Sequence, residues 1–196
     1  VQKEVQRFMN ISDKLKGFAM KQVYAYLDKD PDTNIPKVLD YLQAHDKGGG
    51  ISSQVDSVRQ AISDPNNNWA RLVKSLWTDI DAAQRKALVE TAVVNGSMIG
   101  TPMSEKMQEK YQCNVPWAIL MDPTSACNLH CTGCWAAEYG NKLNLSFDEL
   151  DDIIRQGKAL GTYIYIYSGG EPLVRRDDLI RLCEKHSDCA FSAFTN

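Results

Sequence analysis

The 196-residue chain is 43% hydrophobic and 24% charged, a composition that is ordinary for a folded protein and excludes an intrinsically disordered one. Its formal charge of -3 lacks the basic excess with which proteins bind phosphate backbones, so nucleic acid is not an expected partner. No run approaches the roughly 20 apolar residues of a membrane-spanning helix. No secretory signal is visible either, and we expect a cytoplasmic protein.

Residues 1–112 are predicted to form an all-α domain, because apolar residues recur there at helical spacing and no strand-like alternation is present. Ser12 is a candidate N-cap of the first helix, and Pro36 is predicted to lie in the first turn of the second. Three consecutive glycines in residues 47–50 predict a flexible connector. The fifth helix is predicted to end near Gly96.

The clearest amphipathic stripe of this domain comprises Trp69, Leu72, Val73, Leu76 and Trp77. Such a stripe most often packs against other helices, so we interpret it as part of a core. The same stripe is also compatible with a surface for a substrate or a partner.

From residue 117 onward the pattern changes to strand, helix, strand, helix, strand. Residues 117–121 form a short apolar run, and Ser146 begins a capping box in front of the next helix. The β-branched and aromatic run at 163–167 is typical of a buried parallel strand, and a third strand is predicted at 190–194. Residues 113–196 are therefore predicted to form two successive βαβ units.

Three cysteines closely follow the first predicted strand: Cys127, Cys131 and Cys134. Cysteine binds metal as a thiolate, and three neighbouring thiolates repel one another unless a cation or a cluster holds them. A structural zinc site usually has four ligands, but the nearest candidate, His130, is adjacent to Cys131 and tends to point away from it. Three cysteines without a fourth favour a 4Fe-4S cluster with one iron open to an outside ligand.

The other cysteines, Cys113, Cys183 and Cys189, are interpreted as free thiols without a chemical role. Six cysteines could instead indicate disulfides, but the chain is long and lacks a secretory signal. Free cysteine in a core behaves as a small hydrophobic residue.

A second motif, Ser168-Gly169-Gly170-Glu171-Pro172, follows the second predicted strand. Taken alone, such a segment is equally compatible with a surface turn. Ligands of parallel α/β folds bind beyond the carboxyl ends of the strands, and neighbouring strands lie about 4.8 Å apart. We therefore expect this loop and the cysteine loop to flank one pocket.

Together the two motifs resemble those of the radical S-adenosylmethionine (SAM) superfamily, and the resemblance covers residues 117–196. The spacing Cys-x3-Cys-x2-Cys is similar to the superfamily's cluster-binding loop, and Gly-Gly-Glu-Pro to its SAM-binding motif. The superfamily usually has an aromatic residue immediately before the third cysteine. This chain has Gly133 there, and Trp135 lies on the other side of that cysteine.

The resemblance implies that Cys127, Cys131 and Cys134 hold a 4Fe-4S cluster and that SAM chelates its open iron. It also implies that residues 169–172 bind SAM. The carbonyls of the two glycines, with Glu171, would then accept hydrogen bonds from its ammonium, while the following proline restricts the glutamate to extended conformations. Asn128 and Thr132 would be candidate donors to the cluster sulfurs.

The resemblance further implies that the reduced cluster cleaves SAM to a 5'-deoxyadenosyl radical, which takes hydrogen from a substrate. The electron would come from a donor such as flavodoxin or ferredoxin. The fold implied is the N-terminal half of a partial (β/α)6 barrel, preceded by the all-α domain at 1–112. Because that barrel has six strands, we expect the chain to be part of a longer enzyme, with an unpaired edge at 190–194. The motifs identify neither a substrate nor a catalytic side chain.

Two other classes of function remain open. One is a non-catalytic iron-sulfur or zinc-binding module that uses the helical domain to bind a partner. The other is a thiol redox protein built on Cys131-Thr-Gly-Cys134, since Cys-x-x-Cys beside a βαβ pattern is typical of such proteins. The redox interpretation leaves Cys127 and the glycine loop without a role.

Overall fold

The computed structural model of the protein describes residues 11–45, 52–134, 140 and 142–196. The chain divides into two compact units. We call Phe18–Val89 the helical unit, and Glu90–Asn196 with the described residues before Phe18 the sheet unit. No helix in the described ranges is long and apolar enough to cross a membrane. The connector predicted at 47–50 lies outside them.

Among the described residues, five α-helices precede the sheet unit's main segment: α1 Ile11–Leu27, α2 Pro31–His45, α3 Ser52–Ser63, α4 Asn68–Thr78 and α5 Ala82–Leu88. Ser12, the predicted N-cap of α1, lies inside that helix. Helix α2 begins earlier than predicted, so Pro36 lies in its interior. The reason is that the Asp30 carboxylate accepts a hydrogen bond from the Thr33 N–H (3.2 Å) and thereby caps the helix.

Helix α4 contains the predicted amphipathic stripe, but none of its residues is buried. Trp69 is 69% exposed and Leu72 is 55% exposed. Val73, Leu76 and Trp77 are half-buried. The interpretation of the whole stripe as core is therefore wrong for its first two residues.

A charged pair occupies the interior of the helical unit. The Arg85 guanidinium donates to Asp28 (Nε to Oδ1, 2.8 Å) and to the carbonyl oxygens of Leu76 and Ile80 (2.9 and 2.7 Å). The Trp77 indole N–H donates to the same carboxylate (3.1 Å). Burial acts to raise the pKa of Asp28, but these hydrogen bonds outweigh it and lower the pKa. The pair therefore stays ionised.

The prediction that the fifth helix ends near Gly96 is wrong, because helical structure continues as a π-helix, Val89–Gly100, and as α6, Thr101–Tyr111. A side chain at Gly96 would lie 3.3 Å from the Cδ1 atom of Ile164 on the sheet. One at Gly100 would overlap the Gly161 carbonyl oxygen. These glycines allow close packing against the sheet instead of ending the helix.

The predicted domain boundary at 112/113 coincides with the end of α6, where Gln112 adopts a left-handed conformation (φ 54°). The packing nevertheless groups the segment from Glu90 to Tyr111 with the sheet. The assignment of 1–112 and 113–196 as separate domains stays a prediction.

The sheet has three parallel strands in the order β1-β2-β3. They alternate with two helices, as predicted: β1 Ile119–Met121, α7 Phe147–Leu160, β2 Ile164–Tyr167, α8 Arg176–Lys185 and β3 Ala190–Ala193. Met121 lies opposite Tyr167, and Tyr167 lies opposite Ala193, so the three strands end at the same edge. This α/β arrangement is consistent with part of a (β/α)6 barrel, while the six-strand count stays a prediction.

Helix α7 begins where the sequence predicts. The Glu149 N–H donates to the Ser146 hydroxyl (3.2 Å), and the Ser146 N–H donates to the Glu149 carboxylate (2.7 Å), which completes the capping box. Gly161 ends the helix with a positive φ of 99°. Between these ends, Leu150 and Ile154 are fully buried against the sheet.

Three tyrosines of the second strand region form part of the core, as predicted. Tyr163, Tyr165 and Tyr167 are all buried. The Tyr165 hydroxyl lies 2.9 Å from the carbonyl oxygens of Ile154 and Thr162 and can donate to one of them at a time. Burial raises the pKa of Tyr163 to about 12, so it stays protonated at neutral pH.

Candidate functional site

The loops after β1 and β2 lie side by side at the carboxyl edge of the sheet. The Gly170 N–H donates to the Thr124 carbonyl (2.9 Å), and the Glu171 N–H donates to the Ala126 carbonyl (2.8 Å). The acceptors belong to the segment that leads directly into Cys127. The expectation that the glycine loop and the cysteine loop adjoin is therefore confirmed for this segment.

Both glycines are required by that contact between main chains. Gly169 has a φ of 99°, and a side chain there would lie 2.7 Å from the Thr124 carbonyl oxygen. A side chain at Gly170 would lie 2.6 Å from the Ser125 carbonyl oxygen and would overlap that of Ala126. The positions that side chains would occupy at these glycines thus face protein backbone.

The two glycines lie beside a cavity, and their carbonyl oxygens are not used by the described hydrogen bonds. Among the described residues, no hydrogen bond ends on the carbonyl oxygen of Gly169 or Gly170. Both glycines line a cavity of about 680 Å³, together with β1, residues 124–125, residues 143–145 and Ile153. That volume lies within the range of small-molecule sites. The described lining residues include none of the three loop cysteines.

The Glu171 carboxylate is buried and has a full set of protein partners. Its Oε1 accepts hydrogen bonds from the Leu173 N–H (2.9 Å) and the Thr195 hydroxyl (2.8 Å). Its Oε2 accepts from the backbone N–H (3.0 Å) and the side-chain amide (2.7 Å) of Asn196. The described contacts therefore do not support the prediction that Glu171 receives the ammonium of SAM.

These hydrogen bonds also control the ionisation of Glu171. Burial acts to raise its pKa, but the hydrogen bonds from Asn196, Leu173 and Thr195 outweigh burial, so the pKa is lowered. The carboxylate is charged at neutral pH and joins the glycine loop to the residues after β3. Pro172 follows it and begins a 3-10 turn, while Glu171 itself is extended (φ -107°, ψ 107°), as predicted for a residue before proline.

Arg175, at the end of that turn, has a structural role that no motif in the sequence indicated. Its guanidinium donates to the carbonyl oxygens of Leu145 (2.6 Å) and Pro123 (3.3 Å). It also pairs with Asp178 (2.6 Å). The side chain thus ties the glycine loop to segments before and after the cysteines. Its partners are mostly main-chain carbonyls, which leave no signature in a sequence.

The three loop cysteines are free thiols. Cys127 is half-buried, and its sulfur accepts a hydrogen bond from the Leu129 N–H (3.4 Å). Cys131 and Cys134 are exposed, and the Cys134 N–H donates to the Cys131 carbonyl (3.2 Å) across a turn in which Gly133 has a φ of 75°. Trp135 and the residues up to 139 lie outside the described part of the loop.

The structure does not gather the three thiols into a metal site. Within the described ranges, no group of three or more His, Cys, Asp or Glu side chains is placed to hold a metal ion. The donor set itself fits a cluster, because Cys127, Cys131 and Cys134 are unoxidised and two of them face solvent. Their role as metal ligands stays a prediction.

The remaining cysteines are free thiols, and two of them have raised pKa values. Cys189 is buried, and burial raises its pKa to about 12. Burial also raises the pKa of Cys183. Cys113 is exposed and is likewise a free thiol. Raised pKa values keep Cys183 and Cys189 protonated and therefore unreactive at neutral pH.

A comparison with known protein families matches residues 121–196 to the radical SAM superfamily. No solved structure matches the chain. The matched segment begins at Met121, the last residue of β1, and takes in both candidate loops and the strands β2 and β3. The segment 121–196, which contains both motifs, is thus similar to the radical SAM superfamily.

Proposed function

We propose that the protein is a radical SAM enzyme in which Cys127, Cys131 and Cys134 each bind one iron of a 4Fe-4S cluster. The observation that carries this proposal is the superfamily match over residues 121–196, which includes the three free thiols. Three thiolates satisfy three irons and leave the fourth open to an outside ligand. Exposure of Cys131 and Cys134 allows both side chains to turn toward a cluster.

The carbonyl oxygens of Gly169 and Gly170 would orient SAM by accepting hydrogen bonds from its ammonium. Gly169 and Gly170 line the 680 Å³ cavity, and their carbonyl oxygens have no described hydrogen-bond partner. Leu120, Leu143 and Ile153 give the same cavity an apolar wall that would limit the access of water. A carboxylate is not needed to bind the ammonium of SAM, because carbonyl oxygens can themselves accept hydrogen bonds from it.

Bound there, the cluster and SAM would supply a 5'-deoxyadenosyl radical that takes a hydrogen atom from a substrate. A flavodoxin or ferredoxin in a reducing cytoplasm would provide the electron. Similarity to the superfamily points to an enzyme but specifies the radical initiator and not the substrate, which the proposal therefore leaves open.

The proposal is tested by measuring iron and sulfide after anaerobic reconstitution of the chain. We expect about four of each per chain. Replacing Cys127, Cys131 or Cys134 with Ala should remove most of the iron, whereas the controls Cys113→Ala and Cys183→Ala should retain it. Stoichiometric zinc without iron would overturn the proposal and favour a non-catalytic zinc module.

A second measurement tests whether SAM binds to the cluster. We expect the electron paramagnetic resonance spectrum of the reduced cluster to change when SAM is added, because the ligand joins the open iron. An unchanged spectrum in iron-loaded protein, with no SAM bound in equilibrium dialysis, would favour a non-catalytic iron-sulfur module.

A further inference from the structure

One side chain connects the loops that follow all three strands. Asn196 lies just beyond β3, Glu171 lies in the loop after β2, and Asn128 lies in the cysteine loop after β1. The side-chain amide of Asn196 donates to the Glu171 carboxylate (2.7 Å) and to the Asn128 side-chain oxygen (3.2 Å). The side-chain amide of Asn128 donates back to the Asn196 oxygen (3.3 Å).

These contacts use both N–H groups and the oxygen of the Asn196 side-chain amide. Its two N–H groups go to two different acceptors, and its oxygen receives one donor. Serine has a single donor, and leucine has none. Aspartate has the same shape but no donor, and it would place a second carboxylate beside that of Glu171. Only a primary amide of this length fits the arrangement.

The Asn196 side chain thus forms a hydrogen-bonded bridge between Glu171 and Asn128, and the Asn128 end of this bridge lies next to Cys127. Asn128 follows Cys127 directly, and its side-chain oxygen lies 3.9 Å from the Cys127 sulfur. The other end of the bridge, Glu171, is fixed by the Leu173 N–H and by the Thr195 hydroxyl. Asn196 therefore adds a side-chain connection between the Cys127 end of the loop and the glycine loop, beside the backbone hydrogen bond from Glu171 to Ala126.

We propose that Asn196 is a positioning residue that holds Cys127 at a fixed distance from the carbonyls of Gly169 and Gly170. The inference rests on the proposed function, in which these two groups contact the cluster and SAM respectively. Asn196 itself touches neither cofactor in this account. It acts through Asn128 on one side and through Glu171 on the other.

The first test uses the chain without cofactor and follows hydrogen–deuterium exchange. Asn196→Asp should accelerate exchange of the amides at 127–130 by about three- to tenfold, the equivalent of one net hydrogen bond. The matched control Thr195→Val removes a different hydrogen bond to Glu171 but leaves the bridge to Asn128, so exchange at 127–130 should stay unchanged. Equal exchange in the Asn196→Asp variant and the wild type would overturn the inference.

The second test is a double-mutant cycle on SAM affinity in the reconstituted protein. Asn128→Ala and Asn196→Ala should each weaken SAM binding about three- to tenfold, and the double variant should be no weaker than the worse single variant. Each variant should also alter the spectrum of the reduced cluster with SAM, which a merely structural residue would leave unchanged. Additive losses of affinity, or unaltered spectra, would overturn the positioning role.

The two proposals fail in different ways. Iron analysis of the wild type tests the proposed function by itself. If the reconstituted wild-type chain binds no iron, the proposed function is overturned, and the positioning role is overturned with it. Iron-loaded protein with a normal response to SAM in the Asn196→Ala variant would overturn only the positioning role.

Discussion

The helical unit and the sheet unit differ in what fills their interiors. In the sheet unit, Tyr165, Leu150, Ile154 and Leu182 are 0% exposed, and helices α7 and α8 supply an apolar layer against the strands. In the helical unit, α4 buries no residue, and the described buried apolar residues are Tyr24, Leu39 and Val55. Arg85 of that unit is buried in an ion pair with the half-buried Asp28. Helical apolar spacing is present in both units, so spacing alone does not determine burial.

The difference matters for function because the candidate site is built on the sheet unit, whose interior is mostly apolar. Strands β1, β2 and β3 end at one edge, backbone hydrogen bonds join the loops after β1 and β2, and the Glu171 carboxylate accepts hydrogen bonds from the residues after β3. Packed strands restrict the motion of the loops they carry, which keeps a cofactor site in a fixed geometry. The helical unit, by contrast, exposes Trp69 and Leu72.

The largest effect is expected for Gly170→Val. A side chain there would collide with the Ser125 and Ala126 carbonyl oxygens, and neither is the end of a flexible side chain. We expect a loss of about 3 kcal/mol or more in the free energy of unfolding, together with loss of iron. Urea unfolding and iron analysis measure the two effects.

The matched control for this variant is Gly133→Ala in the cysteine loop. Gly133 also has a positive φ, but no atom lies within 4 Å of a side chain built there. We expect a cost of about 1 to 2 kcal/mol from backbone strain alone. If Gly170→Val retained iron and lost only SAM affinity, the glycine would serve the ligand and not the contact between the loops.

A smaller effect is expected from breaking the charged pair of the helical unit. Arg85→Met leaves the Asp28 carboxylate and two carbonyl oxygens without their donor, so the unfolding midpoint should fall clearly. The control Arg59→Met breaks an exposed pair with Asp40 and should lower the midpoint far less. Equal midpoints for the two variants in thermal unfolding would show that the buried pair is not central to this unit.

A pH-dependent effect is expected from Glu171. Its folded-state pKa lies below the ordinary value of 4.5, so its stabilising contribution is fully present above pH 4.5 and is lost as the pH falls through the folded pKa. Glu171→Gln should reduce the free energy of unfolding by about 1.5 to 3 kcal/mol at pH 7. The difference from wild type should shrink as the pH is lowered below 4.5. A constant difference across denaturation curves from pH 7 to pH 3 would contradict the assignment.

The smallest effect is expected for Trp69→Ser in the helical unit. Because the indole is 69% exposed, the free energy of unfolding should change by no more than about 0.5 kcal/mol. The same measurement on Leu150→Ala, in the sheet unit, should show a loss of about 2 to 5 kcal/mol. A comparable loss for both variants would mean that the face carrying Trp69 is covered in solution.

Local signals in the sequence predicted most of the sheet unit. The Ser146 capping box and Gly161 define α7, because both ends depend on residues within a few positions of one another. The alternation of strands and helices predicted the parallel order of the sheet. That order in turn predicted that the loops after β1 and β2 adjoin.

Features that depend on distant partners were not predictable in this way. Glu171 was assigned to a ligand, but donors from Thr195 and Asn196 surround it, and nothing local to the motif indicates them. Gly96 was interpreted as a helix end because its packing partner, Ile164, lies far along the chain. The stripe on α4 indicated a helix with an apolar face but not whether anything covers that face.

The most direct test of the central claim is the formation of 5'-deoxyadenosine from SAM by the reconstituted chain, under anaerobic conditions with a chemical reductant. The account predicts that this nucleoside accumulates with the wild type and not with Cys131→Ala, which lacks one iron ligand. Iron-loaded wild-type protein that binds SAM but forms no 5'-deoxyadenosine would contradict the account.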